Sequence, residues 1–211
     1  MNIADLRAEY ARAALSEGDT DADPMVQFAT WFREAQAADV PEPNAMSLAT
    51  VGTDGMPSAR IVLLKDVDAR GFAFYTDYRS RKARDLEANG RAGLCFWWGP
   101  IERQVRVTGT IARVASEESA AYYRSRPLGS RIGAWASHQS SELPSREALE
   151  ARVAGLARSL GTDPPLPPHW GGFRVSPSEV EFWQGRPDRL HDRIEYRRDA
   201  GGGWTRRRLS P

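Results

Sequence analysis

The chain has 211 residues, 41% of them apolar, which is enough to bury a hydrophobic core within one main domain. Lys and Arg number 29 against 28 Asp and Glu, so the net charge of +1 lacks the basic excess typical of nucleic-acid-binding proteins. The chain contains no run of about 18 apolar residues, the length needed to span a membrane. The single cysteine, Cys95, excludes an intrachain disulfide and fits a reducing, cytoplasmic compartment.

Two helices are predicted before residue 41. Apolar residues recur at helical spacing near the N-terminus, at Ile3, Leu6, Tyr10 and Ala13 or Ala14. They predict a short amphipathic helix in a separate N-terminal segment, residues 1–20. Asp23 followed by Pro24 is typical of a helix start, so a second helix begins there and ends before Pro41.

From residue 45 the apolar pattern alternates, which predicts strands linked by hairpins. The strands fall at about 45–50, 58–65, 72–76, 91–98, 102–114, 172–175, 180–184, 192–198 and 204–209. Three further helices are predicted, from Ser80 to Asn89, from Ser116 to just before Pro127, and from Ser145 to Leu160. Hairpin-linked strands with helices inserted between them predict a mainly β protein, an antiparallel barrel flanked by α-helices, in one domain over residues 21–211.

Only two of the 29 basic residues are lysines, Lys65 and Lys82. Both stand at the ends of strand-like segments, among basic and hydroxyl residues that could together bind a phosphate group. The alternative is two solvated surface lysines, and the count alone leaves both interpretations open.

Arginine, hydroxyl and aromatic residues concentrate in four segments, around 60–65, 75–82, 122–141 and 181–193. The three histidines lie far apart in sequence and lack metal-ligand spacing, so no metal site is predicted. Residues 189–193 are predicted to be extended, which places Arg189, His191 and Arg193 on one side of the segment, where they would form an anion-binding, proton-handling pocket. The alternative is a charged strand face paired with Asp188 and Asp192.

Six motifs in these segments carry a family resemblance. They are Arg60-Ile61-Val62-Leu63-Leu64-Lys65, Phe74-Tyr75-Thr76 with Ser80-Arg81-Lys82, Glu102-Arg103-Gln104-Val105, Ser125-Arg126-Pro127, Ile132-Gly133-Ala134-Trp135 with Gln139-Ser140, and Phe182-Trp183-Gln184 with Arg189-Leu190-His191-Asp192-Arg193. In this order, over nearly the whole chain, they resemble the pyridoxine (pyridoxamine) 5′-phosphate oxidase family.

The resemblance implies an FMN-binding split β-barrel that is active as a homodimer, with flavin sites shared between the subunits. Members of the family oxidise pyridoxamine or pyridoxine 5′-phosphate to pyridoxal 5′-phosphate, in vitamin B6 salvage. Hydride passes to FMN and then to dioxygen, which yields hydrogen peroxide.

The resemblance also implies roles for individual residues. FMN would contact Arg60, Ile61, Val62, Leu63, Leu64, Lys65, Tyr75, Thr76, Arg81, Lys82, Gln104, Gln139, Ser140, Trp183 and Arg193, some of them from the partner subunit. The substrate phosphate would meet Lys65, Tyr122, Arg126 and Ser130, and its ring Arg189, Leu190 and His191. Arg193 and His191 would orient the substrate and assist its deprotonation. Lys82 would then bind the phosphate of FMN and Lys65 chiefly that of the substrate.

The N-terminal segment resembles one that closes over the substrate in this family, through Arg7 and Tyr10. Ala8 stands where a basic residue is common, and Ala13-Ala14-Leu15 lacks a frequent glycine, which puts the grip of this lid in question. Two rival functions remain: an oxidase of the same fold acting on a phenazine precursor, and a non-catalytic flavin- or haem-binding split barrel.

Overall fold

Nine antiparallel strands form one sheet in the computed structural model, which describes residues 9–211. The strands are β1 (Ala45–Val51), β2 (Pro57–Leu63), β3 (Asp66–Asp68), β4 (Gly71–Asp77), β5 (Arg91–Trp98), β6 (Arg103–Arg113), β7 (Trp170–Gln184), β8 (Asp192–Arg198) and β9 (Trp204–Leu209). Their order is β2-β1-β5-β6-β7-β4-β3, with β8 on β7 and β9 on β8. The predicted mainly β fold with flanking helices is confirmed.

Strand β7 is the point at which the sheet branches. Its first part pairs with both β4 and β6, and its last part pairs with β6 and β8. The sequence predicted two separate strands here, and that prediction is wrong. Pro177, which usually ends a strand, instead lies at a β-bulge opposite the Thr108/Gly109 step, and β7 continues through it. Gly109 permits the bulge, since a Cβ there would lie 2.1 Å from the Ser176 carbonyl oxygen.

The core lies between the curled sheet and helix α1 (Pro24–Ala37). The Asp23 side chain accepts a hydrogen bond from the Met25 amide, which confirms the predicted N-cap. Phe28 of α1 is fully buried, with its ring 4.9 Å from that of Phe72 and 5.0 Å from that of Phe96. The aromatic face of α1 therefore fixes the helix against the inner side of the sheet.

Four more helices connect the strands: α2 (Arg81–Asn89), α3 (Ser116–Ser125), α4 (Leu128–Ala136) and α5 (Arg146–Leu160). The predictions of α2, α3 and α5 are confirmed, and Ser80 and Ser145 cap α2 and α5 through their hydroxyl groups. Helix α4 was not predicted. It is short, begins directly after Pro127 and contains Gly129 and Gly133, which have low helix propensity.

The predicted N-terminal helix is absent from residues 9–16, and Ile3 and Leu6 lie outside the described residues. The amides of Ala11 and Arg12 donate to the Glu102 carboxylate, and the amide of Leu15 donates to Asp192. These amides are therefore unable to form helical hydrogen bonds. Within residues 9–211, no helix has the length and apolar character that crossing a membrane would require.

Candidate functional site

A cavity of about 640 Å³ opens where β2, β4, α3, α4 and the start of α2 meet. Polar and aromatic side chains share its lining, which consists of Ile61, Val62, Leu63, Lys65, Tyr75, Thr76, Asp77, Lys82, Tyr122, Arg126, Pro127, Ser130, Gly133, Ala134, Ser137, Gln139 and Trp170. Both lysines of the chain line this cavity.

One end of the cavity is built around Lys82, in the first turn of α2. Its Nζ donates to the Gln139 side-chain oxygen at 2.6 Å and to the Thr76 hydroxyl at 3.3 Å. The Arg81 amide at the start of α2 donates to the Ser140 hydroxyl at 3.1 Å. An ammonium, a hydroxyl and the first amides of a helix form a donor set that suits a phosphate group.

Electrostatics at this end also favour an anion. Burial and then the neighbouring Arg60 lower the pKa of Lys82, while burial chiefly lowers that of Arg60. Arg60 itself donates to the Thr50 hydroxyl at 2.7 Å and the Ser58 hydroxyl at 2.6 Å, and does not line the cavity. The positive charge of Arg60 thus disfavours the charged form of Lys82, and an anion bound beside Lys82 would offset this effect.

The other end of the cavity combines cations with stacked aromatic rings. The rings of Tyr75, Tyr122 and Trp170 form a mutually stacked cluster, with centroids 4.2 Å apart for Tyr75–Tyr122, 5.5 Å for Tyr75–Trp170 and 6.1 Å for Tyr122–Trp170. The Arg126 guanidinium lies 4.7 Å from the Trp170 ring centroid, and Lys65 Nζ lies 6.0 Å from that of Tyr122. Both contacts are within the range of cation–π attraction.

Arg126 has unused hydrogen-bonding capacity. Its Nη1 is buried, without a hydrogen-bond partner among residues 9–211, and burial lowers the pKa of the group. A buried donor on a cation is costly to leave unpaired. Arg126 and Ser130 both line the cavity, so the positive charge of Arg126 and the hydroxyl of Ser130 are next to any anion bound there.

Three implied flavin contacts lie away from the cavity. Gln104, Trp183 and Arg193 are directly opposed on β6, β7 and β8, so they form a row on the outer sheet face. Arg193 makes a two-pronged ion pair with the buried Glu181, with Nε–Oε1 at 3.0 Å and Nη2–Oε2 at 2.9 Å. Hydrogen bonds to Glu181 raise the pKa of Arg193, which makes this guanidinium a fixed positive charge.

The prediction of an extended 189–193 segment is wrong. Residues 187–189 form a short 3-10 turn, in which Asp188 and Arg189 have φ of 54° and 61°. The strand begins only at Asp192, so Arg189, His191 and Arg193 do not form a row on one side. Asp192 pairs with Arg186 and Arg208 rather than with Arg193, so the predicted alternative of a strand face paired with Asp188 and Asp192 does not hold either.

His191 nevertheless lies beside the outer row, with its ring 4.6 Å from that of Trp183. Its Nδ1 accepts a hydrogen bond from the Arg186 amide at 3.1 Å, so the neutral ring carries its proton on Nε2. Burial, followed by the charge of Arg189, lowers the pKa of His191. Arg189 and Leu190 are exposed, Leu190 with 68% of its surface accessible. Arg7 lies outside the described residues.

Three more implied flavin contacts, Leu64, Arg81 and Ser140, do not line the cavity, although each is adjacent in sequence to a residue that does. Leu64 is buried in the core, and its backbone is bonded to Asn44. Sequence reasoning did not assign six of the lining residues to the site: Asp77, Pro127, Gly133, Ala134, Ser137 and Trp170. Trp170 directly follows a proline-rich loop, and only its position at the start of β7, opposite Asp77, brings it to the cavity. Groups of three or more side chains able to hold a metal ion do not occur in the described part of the chain.

Comparisons with known proteins place nearly the whole chain in one family. Residues 32–158 match a family model described as pyridoxamine 5′-phosphate oxidase, and residues 170–211 match one described as the pyridoxine 5′-phosphate oxidase C-terminal dimerisation region. The chain is 60% identical to the pyridoxine/pyridoxamine 5′-phosphate oxidase of Cupriavidus metallidurans, with 99% of each chain covered. It is 59% identical to that of Bordetella avium, with 100% of each covered.

Two solved structures are similar to the whole fold. PhzG from Burkholderia lata, in complex with tetrahydrophenazine-1-carboxylic acid, has a TM-score of 0.90 at 36% identity, covering 95% of this chain and 99% of that one. A pyridoxamine 5′-phosphate oxidase-related, FMN-binding protein from Nostoc punctiforme has a TM-score of 0.72 at 18% identity, covering 93% and 98%. The second likeness supports the fold alone.

Proposed function

The chain belongs to the pyridoxine/pyridoxamine 5′-phosphate oxidase family, and we propose that its cavity is where the two phosphate-bearing molecules of that reaction meet. The protein is an FMN-dependent oxidase that converts pyridoxamine or pyridoxine 5′-phosphate to pyridoxal 5′-phosphate. The observation that carries the proposal is a single cavity with two separate cationic regions, one at Lys82 and one at Arg126, joined by aromatic rings.

The Lys82 region suits the phosphate of FMN. Lys82 Nζ, the Thr76 hydroxyl and the first amides of α2 are all donors, and Arg60 adds positive charge nearby. Gln139 and Ser140 now accept the hydrogen bonds that a phosphate would accept. When bound, FMN supplies the two-electron acceptor of the oxidation; the protein supplies orientation and charge.

The Arg126 region suits the phosphate of the substrate. Arg126 offers an unpaired donor, Ser130 a hydroxyl, and Lys65 a second cation, while Tyr122 and Tyr75 provide a flat aromatic wall. Two lysines at two regions of one cavity thus serve two phosphates, Lys82 that of the cofactor and Lys65 that of the substrate.

Arg193 and His191 serve to orient the substrate rather than to accept its proton. Arg193 is a guanidinium paired with Glu181, which keeps it protonated. His191 uses Nδ1 as an acceptor, so its Nε2–H is available as a donor to an oxygen of the substrate ring. The geometry therefore supports the orienting half of the implied role and gives no support to the deprotonating half.

A homodimer completes the site. Gln104, Trp183 and Arg193 lie outside the cavity of their own chain, and residues 170–211 match a dimerisation region. On the same outer sheet face, Ile61 and Trp97 have 68% and 51% of their surfaces exposed, which is unusual for apolar side chains of this size. A second copy covering this face would bring its row to the cavity that Ile61 lines.

A phenazine-type oxidase is the other candidate, because PhzG shares the fold closely. The ligand in that structure is a carboxylic acid without a phosphate group. The free donor of Arg126, with Lys65 and Ser130 beside it, exceeds what one carboxylate requires. The higher identity, about 60%, to pyridoxine/pyridoxamine 5′-phosphate oxidases supports the first function.

The test is to purify the protein, add FMN and measure hydrogen peroxide after adding pyridoxamine 5′-phosphate in air. We expect a yellow protein that releases peroxide and pyridoxal 5′-phosphate in equal amounts. A protein that cannot be loaded with FMN, or that is loaded and releases neither product, would contradict the proposal.

A further inference from the structure

Residues 10–15, here called the N-terminal strap, are held across the outer end of the sheet by hydrogen bonds to four side chains, those of Glu102, Arg186, Asp192 and Arg208. The amides of Ala11 and Arg12 both donate to Glu102 Oε2 at 3.0 Å. The Ala13 carbonyl accepts from Arg186 at 3.1 Å, and the Leu15 amide donates to Asp192 at 3.0 Å. One carboxylate, that of Glu102, therefore holds two consecutive amides of the strap.

Glu102 is an unusual residue for its place in the backbone. It has φ of 56° and ψ of 39°, a left-handed conformation that residues with a Cβ disfavour, and only 9% of its surface is exposed. Its carbonyl accepts from the Gly185 amide at 2.8 Å. Within residues 9–211 its carboxylate forms no ion pair with Lys, Arg or His. The turn alone would favour glycine, and the contact that the Glu102 carboxylate makes is with the strap.

The strap places Tyr10 over the outer row. The Tyr10 ring meets those of Trp183 and His191 edge to face, at centroid distances of 5.7 Å and 5.8 Å. The missing side chain of Gly185 leaves the room for this, because a Cβ there would lie 2.8 Å from Tyr10 and 3.0 Å from Glu102. Tyr10, Glu102 and Gly185 thus form one packed unit beside His191.

We propose that Glu102 is a positioning residue, whose carboxylate docks the strap so that Tyr10 closes over His191 and Trp183. This rests on the proposed function, in which His191 faces the ring of the substrate. A charged acceptor binds backbone amides more strongly than a neutral one, and the partly buried site excludes competing water. Release of the strap would uncover His191 and weaken retention of the substrate without touching the Lys82 region.

The experiment compares full-length, FMN-loaded wild type with Glu102→Gly, which suits the left-handed turn and removes only the carboxylate. Glu102→Gln retains one oxygen acceptor, and Glu34→Ala is the control, because Glu34 pairs with the adjacent Arg103 and not with the strap. Two readouts are measured: the rate of trypsin cleavage after Arg12, by intact mass, and KM and kcat for pyridoxamine 5′-phosphate.

Loss of two charge-assisted hydrogen bonds should speed cleavage in Glu102→Gly about tenfold to hundredfold and raise KM several-fold, with FMN content unchanged. Glu102→Gln should be intermediate, and Glu34→Ala should match wild type. If Glu102 acts through Tyr10, Tyr10→Ala should raise KM by a similar factor, and the double variant should be no worse than either single one.

Equal cleavage rates in wild type and Glu102→Gly would overturn the proposal. So would an unchanged KM in an active enzyme, or additive effects of Glu102→Gly and Tyr10→Ala. A wild-type protein that binds FMN but oxidises no pyridoxamine 5′-phosphate would instead refute the proposed function, and the cleavage rates would still decide whether Glu102 docks the strap.

Discussion

Replacing Arg126 with methionine tests the substrate-phosphate region, because the change should weaken substrate binding without destabilising the fold. Arg126 has a buried Nη1 without a partner among residues 9–211, and burial lowers the pKa of its guanidinium. Methionine keeps much of the length and the contact with Trp170 but removes the charge. In the enzyme without substrate, the change therefore removes a group that is costly to bury.

The magnitude follows from the bonds that the substrate would lose. One charge-assisted hydrogen bond to a phosphate contributes about 1.5–3 kcal/mol, which corresponds to a rise in KM of about 10- to 150-fold. Because the unpaired buried donor disappears, the melting temperature should stay the same or rise. FMN content should not change, since Lys82 and Thr76 are untouched.

The assay is steady-state peroxide release at varied pyridoxamine 5′-phosphate, together with thermal unfolding of each variant. Arg124→Met is the matched control, because Arg124 lies in the last turn of α3, two residues before Arg126, and is exposed. An Arg126→Met enzyme with wild-type KM would refute the assignment of the substrate phosphate to this region. A large fall in melting temperature would refute the claim that Arg126 is held at a cost.

Three further predictions address the other groups. Lys82→Ala should weaken FMN binding by about tenfold to hundredfold in a fluorescence titration, whereas Lys65→Ala should mainly raise the KM for the substrate; the reverse pattern would exclude two separate phosphate regions. Glu181→Gln should lower the free energy of unfolding by about 1–3 kcal/mol, because Arg193 loses its charged partner, while Glu179→Gln, on the same strand but less buried, should have little effect on urea denaturation. In the folded state the pKa of His191 is lowered, so the neutral ring contributes to the stability of the fold above the unfolded pKa of about 6.5. This contribution to stability is lost as the pH falls through the lowered pKa. KM should therefore rise on the acid side in wild type, and an equal rise in His191→Asn would contradict the role of His191.

Much of the cavity could be predicted from the sequence through the family motifs. Lys65, Thr76, Lys82, Tyr122 and Arg126 are distant in sequence, yet all of them line one cavity. Each follows or belongs to an element whose boundary has a clear local signal, such as the Ser80 cap that begins α2. Local signals thus predicted where the elements begin and end, and the family motifs predicted that their residues share one site.

The errors come from tertiary structure that overrides local preference. Pro177 indicated a strand end, but a bulge opposite Gly109 carries β7 through it. The alternating residues 189–193 predicted an extended segment, but residues 187–189 form a turn, and Asp188 and Arg189 have positive φ. The N-terminal spacing predicted a helix, but Glu102 binds the amides that a helix would need. None of these contacts between distant residues is visible in a single sequence.

Anaerobic mixing of the FMN-loaded protein with pyridoxamine 5′-phosphate tests the central claim most directly. We predict that the flavin absorbance is bleached, that pyridoxal 5′-phosphate forms in an amount equal to the flavin, and that admitting air restores the colour. Pyridoxamine without its phosphate should bleach the flavin only at far higher concentration. A flavin that stays oxidised, or that is bleached equally well by the phosphate-free compound, would contradict an oxidase with two phosphate regions in one cavity.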